Sequence, residues 1–437
     1  MGDIHITQDM LDAVSRGELA PSALAEIGLK HLLSICPHCR AELDAWQRRR
    51  SGEEGYSTVQ VLPALLEHQA QGLKSREQEA RRDFRELQRL TFEDRLNRIR
   101  RAQRRFRGEL LAQIVLDEAR KHIPAEPQIV YEHAETAKAV LSHTPTSPTV
   151  SILSVRAFVY AGNALRAQGN PPAADKQFAL ARNLIAVSGV TDTQTYAEID
   201  WFEGTLRKDQ RRFKDAEELL VRSVTLYRLA GDHATAVFPL ATLGILFYHR
   251  QEHRQALETF RVALSQIHPE IEPRLYCYVH HNLTLTLCDM GDYHAAQDAL
   301  DAGRDSYAEC PDSLTQSRLA WIEGKIALGF GHLERAIEAF RAVRSVFVAE
   351  DNGYDAAMVS LDLGLAYVKQ GSVRELKMLA EEMYAVFESQ DIHREALAAL
   401  LLFQQAARVE RLTVEKVEGF IRYLRKARMN PKLRFRE

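Results

Sequence analysis

His31, Cys36 and Cys39 fall within nine positions of the stretch "HLLSICPHCR", in a chain whose 437 residues include only five cysteines. Two thiolates and an imidazole at this spacing are soft and borderline donors that suit tetrahedral Zn²⁺, an ion with no redox demand. The local order supports them. "PSALAEIGLKHL" reads as a helix with Pro21 in its first turn and its end near His31, and "CPHCRAELDAWQRR" starts a second helix with Pro37 in its first turn. A thiol at a helix N-terminus has a lowered pKa, which favours the thiolate a metal needs. Three donors do not close a structural site, and the nearest upstream candidate for the fourth is His5. A buried thiol pair or a disulfide switch is the other reading of Cys36 and Cys39. With His5, His31, Cys36 and Cys39 as ligands the ion has no open position, so one structural Zn²⁺ per chain is the expectation and catalysis by the metal is not.

Catalytic signatures are missing elsewhere. The sequence holds no G-x-S-x-G, no H-E-x-x-H and no phosphate-cradling glycine loop, so an enzyme is not expected. Lys and Arg number 57 against 60 Asp and Glu, for a formal net charge of −3, which leaves no global footprint for nucleic acid or a membrane surface. The remaining cysteines, Cys277, Cys288 and Cys310, are too few and too scattered for a disulfide framework, which points to a reducing compartment. "MGDIHITQDML" carries an early acid and no apolar run, and the longest strongly apolar stretch, "ALAALLLF", is far too short to span a bilayer. A cytoplasmic protein without a membrane segment is expected.

What positions any binding surface is an internal repeat. "GNALRAQGNPPAA", "GTLRKDQRRFKDA", "GILFYHRQEHRQA", "TLTLCDMGDYHAA", "GKIALGFGHLERA" and "GLAYVKQGSVREL" align without gaps, starting at Gly162, Gly204, Gly244, Thr284, Gly324 and Gly364. The first step is 42 residues and every later one 40. Twelve residues on stand Ala174, Ala216, Ala256, Ala296, Ala336 and Leu376, and four further on Phe178, Leu220, Phe260, Leu300, Phe340 and Ala380. Apolar residues at helical spacing surround each register position. Gly291, Gly331 and Gly371, seven positions on, mark where a helix stops in a left-handed residue and reverses. Each repeat therefore reads as a helical hairpin, with small residues at mid-helix allowing close backbone approach.

This glycine and alanine register resembles the tetratricopeptide repeat over roughly 150–390, with a period longer than the usual ~34 residues. With the His and Cys cluster at the N-terminus, the expectation is an all-α fold: a small N-terminal zinc-binding helical bundle (1–52), a helical linking region (53–145), a right-handed α-α superhelix of about six repeats (146–390), and capping helices (391–437). The final pair lacks the glycines, as terminal repeats often do.

Two surfaces follow. Between 81 and 107 there are eleven Arg and four acids, along a helix whose Phe92, Leu96, Ile99 and Phe106 form one stripe. Either the arginines meet an anion or nucleic acid, or the stripe docks and the arginines face water. The second reading is preferred, because aromatic residues are not interleaved with the charges. Along the repeats, first helices line the inner face of such an array. Positions three before, one after and four after the register residue give Asn163, Arg166, Trp201, Lys208, Tyr248, His281, Trp321 and Lys325 as a candidate groove for a protein or peptide. The alternative for Trp201 and Trp321, which recur in "WFEG" and "WIEG", is packing between repeats.

The N-terminal stretch from "ITQDML" to "CRAELDAW" resembles the zinc-binding anti-sigma domain, including its G-E-L turn, with four residues rather than three between His31 and Cys36. That resemblance implies the same four ligands and a sigma factor as a partner. Together the readings describe a non-enzymatic regulator that binds protein, with a structural scaffold or adaptor, its zinc bundle only capping or tethering the array, as the alternative.

Overall fold

The structure is a computed structural model that describes residues 74–388, apart from Gln103, Pro124 and Asp351, and 412–429, with a few isolated positions elsewhere. Among the described residues every regular element is a helix. The chain forms two compact units, residues 1–157 and 158–437. His5, His31, Cys36 and Cys39 lie outside the described residues, as does most of 1–52.

In the first unit, helix α1 (74–88) is followed by α2 (Phe92–Arg101), α3 (Glu109–His122) and α4 (Pro127–Leu141). Thr91 starts α2, its Oγ1 accepting from the Asp94 amide at 3.3 Å. The arginine-rich stretch docks through its apolar stripe: Ile99 and Phe106 are fully buried, and Phe92 and Leu96 half-buried. Arg95 is drawn in as well, its Nε donating to the Leu87 carbonyl at 3.1 Å. Arg98 and Arg105 lie over the Phe106 ring, 5.7 and 4.8 Å from its centroid. Arg105 pairs with Asp83 at 2.9 Å and Glu86 at 2.5 Å. Most of the other arginines face water.

Helix α5 (Pro148–Ala167) crosses from the first unit into the second. The second unit continues with α6 (Pro171–Ser188), α7 (Thr193–Asp209), α8 (Phe213–Leu229), α9 (His233–His249), α10 (His253–Leu264), α11 (Pro273–Met290), α12 (Tyr293–Ala308), α13 (Ser313–Gly329), α14 (Leu333–Ala349), α15 (Gly353–Gln370), α16 (Val373–Glu388) and α17 (Val414–Met429). Helices α5 to α16 make six hairpins, each holding one of the six aligned segments. Successive first helices α7, α9, α11, α13 and α15 touch one another, while second helices pack on their own partners and on the next first helix. This is the stacking of a helical solenoid.

The register glycines have a more specific cause than close backbone approach. In four of the repeats the glycine accepts the side chain sixteen residues on, from the facing second helix. A Cβ on Gly244 would stand 2.5 Å from the Phe260 ring, and one on Gly324 2.6 Å from Phe340. Gly162 and Gly204 meet Phe178 and Leu220 at 3.0 Å in the same way. Where the sixth repeat has Ala380 instead of an aromatic residue, Phe403 fills the space, 3.0 Å from the position of a Gly364 Cβ. The alanines twelve residues on, Ala256, Ala296 and Ala336, are fully buried beside these contacts.

Hairpin turns also repeat. Seven residues after each register position the backbone is left-handed: Gly169, Arg211, Gln251, Gly291, Gly331 and Gly371 have φ of 75, 62, 63, 79, 80 and 80°. Arg211 and Gln251 hold this conformation without being glycine, the only non-glycine residues with positive φ among those described.

Candidate groove along the first helices

The candidate groove residues form inter-repeat rungs. A side chain on one first helix reaches an acceptor one repeat step plus one residue later. Arg166 donates to Asp209 at 2.6 Å, across 43 positions and the longer first step. Trp201 Nε1 donates to Thr242 Oγ1 at 3.4 Å, Tyr248 Oη to Asp289 Oδ2 at 2.7 Å, and Trp321 Nε1 to Asp362 Oδ2 at 2.8 Å, each across 41 positions. Equivalent positions on neighbouring first helices face each other, so a long donor finds its partner at the same height plus one residue.

At the N-terminal end, Arg166 Nε also donates to Asn163 Oδ1 at 3.0 Å, and Lys208 pairs with Asp209 at 2.5 Å. Burial alone would raise the Asp209 pKa; the charges of Lys208 and Arg166 win and hold it below the usual carboxylate value. Trp201 stacks on Phe202 with centroids 4.3 Å apart and packs against Phe238 at 5.4 Å. Asn163 is buried.

The middle of the face is open. Tyr278, on α11, is 48% exposed although it lies among the first helices. Desolvation raises its hydroxyl pKa, with Arg318 and Arg166 acting the other way and Asp209 adding to it, so these groups share one electrostatic environment. His281 sits one turn further along α11, where its Nδ1 is 3.3 Å from the Tyr307 hydroxyl. Desolvation, then Arg318, push the His281 pKa down to about 4, so the ring is neutral near pH 7.

The C-terminal end is a closed ionic cluster. Asp289 and Asp362 are almost fully buried, with side-chain exposures of 2% and 4%. Lys325 Nζ lies 3.2 Å from Asp362 and 3.7 Å from Asp289, and 5.7 Å from the Trp321 ring centroid. Arg425, from α17, reaches Asp289 at 2.7 Å. Burial would raise the Asp289 pKa, but Arg425, Lys325 and the Tyr248 hydrogen bond hold it low. Trp321 packs at the margin of the core formed by α13 to α17.

The structure thus joins Asn163 with Arg166 and Lys208 through Asp209, and Tyr248 with Trp321 and Lys325 through Asp289 and Asp362. Trp201 pairs separately, and His281 stands between the two groups. Sequence reasoning missed the aspartates, which lie off the stripe it sampled, as well as Tyr278 and Arg318. Those two occupy the position six before the register residue, so extending the stripe by one further helical turn would have found them. Among the described residues no group of three or more His, Cys, Asp or Glu could hold a metal ion. No described helix is long and apolar enough to cross a membrane.

Six stacked hairpins with one left-handed residue at each turn settle the architecture. The fold is that of tetratricopeptide-like helical repeats. Among solved structures, a Rap protein complexed with Competence and Sporulation Factor superposes with a TM-score of 0.53 at 14% identity, over 74% of this chain and 98% of that one. The STAND (Signal Transduction ATPase with Numerous Domains) protein PH0952 of Pyrococcus horikoshii, which has a tetratricopeptide repeat sensor, matches with a TM-score of 0.50 at 13% identity, over 76% of this chain and 51% of that one. At these identities the likeness is one of fold. No protein-family profile matches the chain, and no curated protein matches it in sequence.

Proposed function

We propose that this chain is a non-enzymatic regulator that binds a protein or peptide segment along the inner face of its repeats. The observation that carries this is the open middle of that face: exposed Tyr278 beside neutral His281, with Arg318 acting on both rings and Arg166 on Tyr278. An aromatic ring flanked by cations and walled by paired rungs has the composition of a binding hot spot. The similar Rap protein is itself complexed with Competence and Sporulation Factor. Trp201, Tyr248, Trp321 and Lys325 shape the walls through their rungs, and Asn163 and Lys208 brace the N-terminal end.

Within this reading, His5, His31, Cys36 and Cys39 hold one structural Zn²⁺, and a sigma factor is the partner that the zinc-domain resemblance nominates. The full chain, purified without chelator, is expected to carry about one zinc, lost in Cys36→Ser/Cys39→Ser. The function is tested by capturing partners from the native host on wild-type protein and on Tyr278→Ala/Arg318→Ala. A partner retained by the first and lost by the second, with unchanged thermal unfolding, supports the groove. A partner retained equally by both places binding elsewhere, and one lost only on zinc removal places it on the N-terminal bundle.

A further inference from the structure

The buried ionic cluster does not balance within the repeats. Its carboxylates, Asp289 on α11 and Asp362 on α15, are 2% and 4% exposed. Among the described residues, Lys325 is the one cation from the repeats within ion-pair distance of them. A buried carboxylate without a cation is costly, and here the missing charge comes from outside the six hairpins. It is Arg425 on α17, 2.7 Å from Asp289.

The position of α17 is also informative. It packs against α15, a first helix. Its Val417, Phe420, Ile421, Tyr423 and Leu424 are buried, at 0 to 7% exposure. From there Arg425 reaches Asp289, two first helices back, and feels Tyr248 on α9 as well as Asp362. The helix therefore lies against the first helix α15, its Phe420 edge-on to Phe403 at 5.6 Å, and projects an arginine into the acidic pair of α11 and α15. That is how a helical ligand seats in a groove.

We propose that Asp289 and Asp362 form an arginine-receiving subsite of the groove, that α17 fills it in cis, and that the partner segment it is built to take in trans is an amphipathic helix or peptide bearing an arginine. The inference rests on the groove reading above and specifies its ligand. An arginine suits the site better than a lysine because the pocket already holds the Lys325 point charge, and a guanidinium spreads its donors in a fork. A tethered occupant competes at high effective concentration, so the resident helix sets a threshold that a partner must exceed.

The test uses the full chain and a fluorescent synthetic peptide of residues 412–429. Wild-type protein should bind the peptide weakly. Arg425→Ala, which empties the subsite while keeping the helix, should bind it about tenfold or more tightly, as a cis competitor is weakened. The peptide with alanine in place of that arginine should gain nothing, and Arg425→Ala/Asp289→Asn should lose the gain. Arg425→Lys guards against misfolding and should fall between wild type and Arg425→Ala. Equal peptide binding by wild type and Arg425→Ala, with both folded by circular dichroism, overturns the proposal, as does equal binding of the arginine-free peptide. A host partner that depends on Tyr278 and Arg318 but is indifferent to Arg425→Ala leaves the groove standing and removes this subsite.

Discussion

Gly244→Ala isolates what holds the hairpins together. In a helix interior, alanine is favoured over glycine by about 1 kcal/mol, so without tertiary contact the substitution stabilises. Here the new Cβ would meet Phe260 carbons at 2.5, 2.7 and 3.0 Å. Carbon pairs settle at ~3.5–4.0 Å, so the ring must retreat by roughly 1 Å. Phe260 is fully buried, so its ring can retreat only into other packed core side chains. Overpacking of this kind costs about 1–3 kcal/mol, leaving a net loss of about 0–2 kcal/mol once the helix gain is included. The decisive measurement is the cycle with Phe260→Leu, because the fourth repeat already pairs a residue carrying a Cβ, Thr284, with Leu300. The double variant should be more stable than the sum of the single changes predicts, by about 1 kcal/mol or more. Denaturant unfolding followed by circular dichroism supplies the values. Hydrogen exchange in α9 and α10 locates the loss, since a repeat array need not unfold in two states. A Gly244→Ala protein stabilised by the full helix-propensity gain, with no coupling to residue 260, would refute the knob-and-hole account.

Three other outcomes are expected. Arg211→Gly and Gln251→Gly should each raise stability by about 0.5–1 kcal/mol, because they remove a side chain from a left-handed residue; a fall in melting temperature would mean those side chains earn more than the strain costs. Asp200, a fully buried residue of α7, accepts from Arg182 at 2.6 Å and from Arg222 at 2.5 and 2.7 Å, and because both arginines reach solvent and Arg182 keeps Glu203, Asp200→Ala should cost about 1–3 kcal/mol, measured by denaturant unfolding. Desolvation lowers the pKa of His133, His253, His280 and His281 from 6.5, the last to about 4. The unfolded chain then takes up protons first, so stability is complete above pH 6.5 and falls as pH drops towards about 4. His281→Gln should flatten part of that slope, and an unchanged slope in urea titrations would exclude His281 as a source.

The repeat was legible because most of its register and turn positions hold glycine, at a fixed period. A glycine, and a turn residue seven positions later, recur at a period that can be counted along the chain. The reason for the register glycine was not legible. Its partner lies sixteen residues away on another helix, and sequence shows only that both positions repeat. Arg211 and Gln251 show the limit from the other side: their spacing marks the turn, while their residue type does not.

The groove was legible as a stripe and not as a set of contacts. Positions of one helix face can be counted along the chain, so Trp201, Tyr248 and Trp321 were found together. Whether each is open or spent depends on what stands one repeat plus one residue later, and that partner is Thr242, Asp289 or Asp362. The same rule separates the walls of the face from its open part. Tyr278 stays 48% exposed in the middle of the first helices. Asp289, by contrast, is completed by Arg425, 136 positions further along and beyond the last hairpin. Periodicity cannot anticipate such a contact, because only one of its members belongs to the repeat. The repeats thus place Asp289 and Asp362 on the inner face, while the charge that completes Asp289 comes from a helix beyond the array.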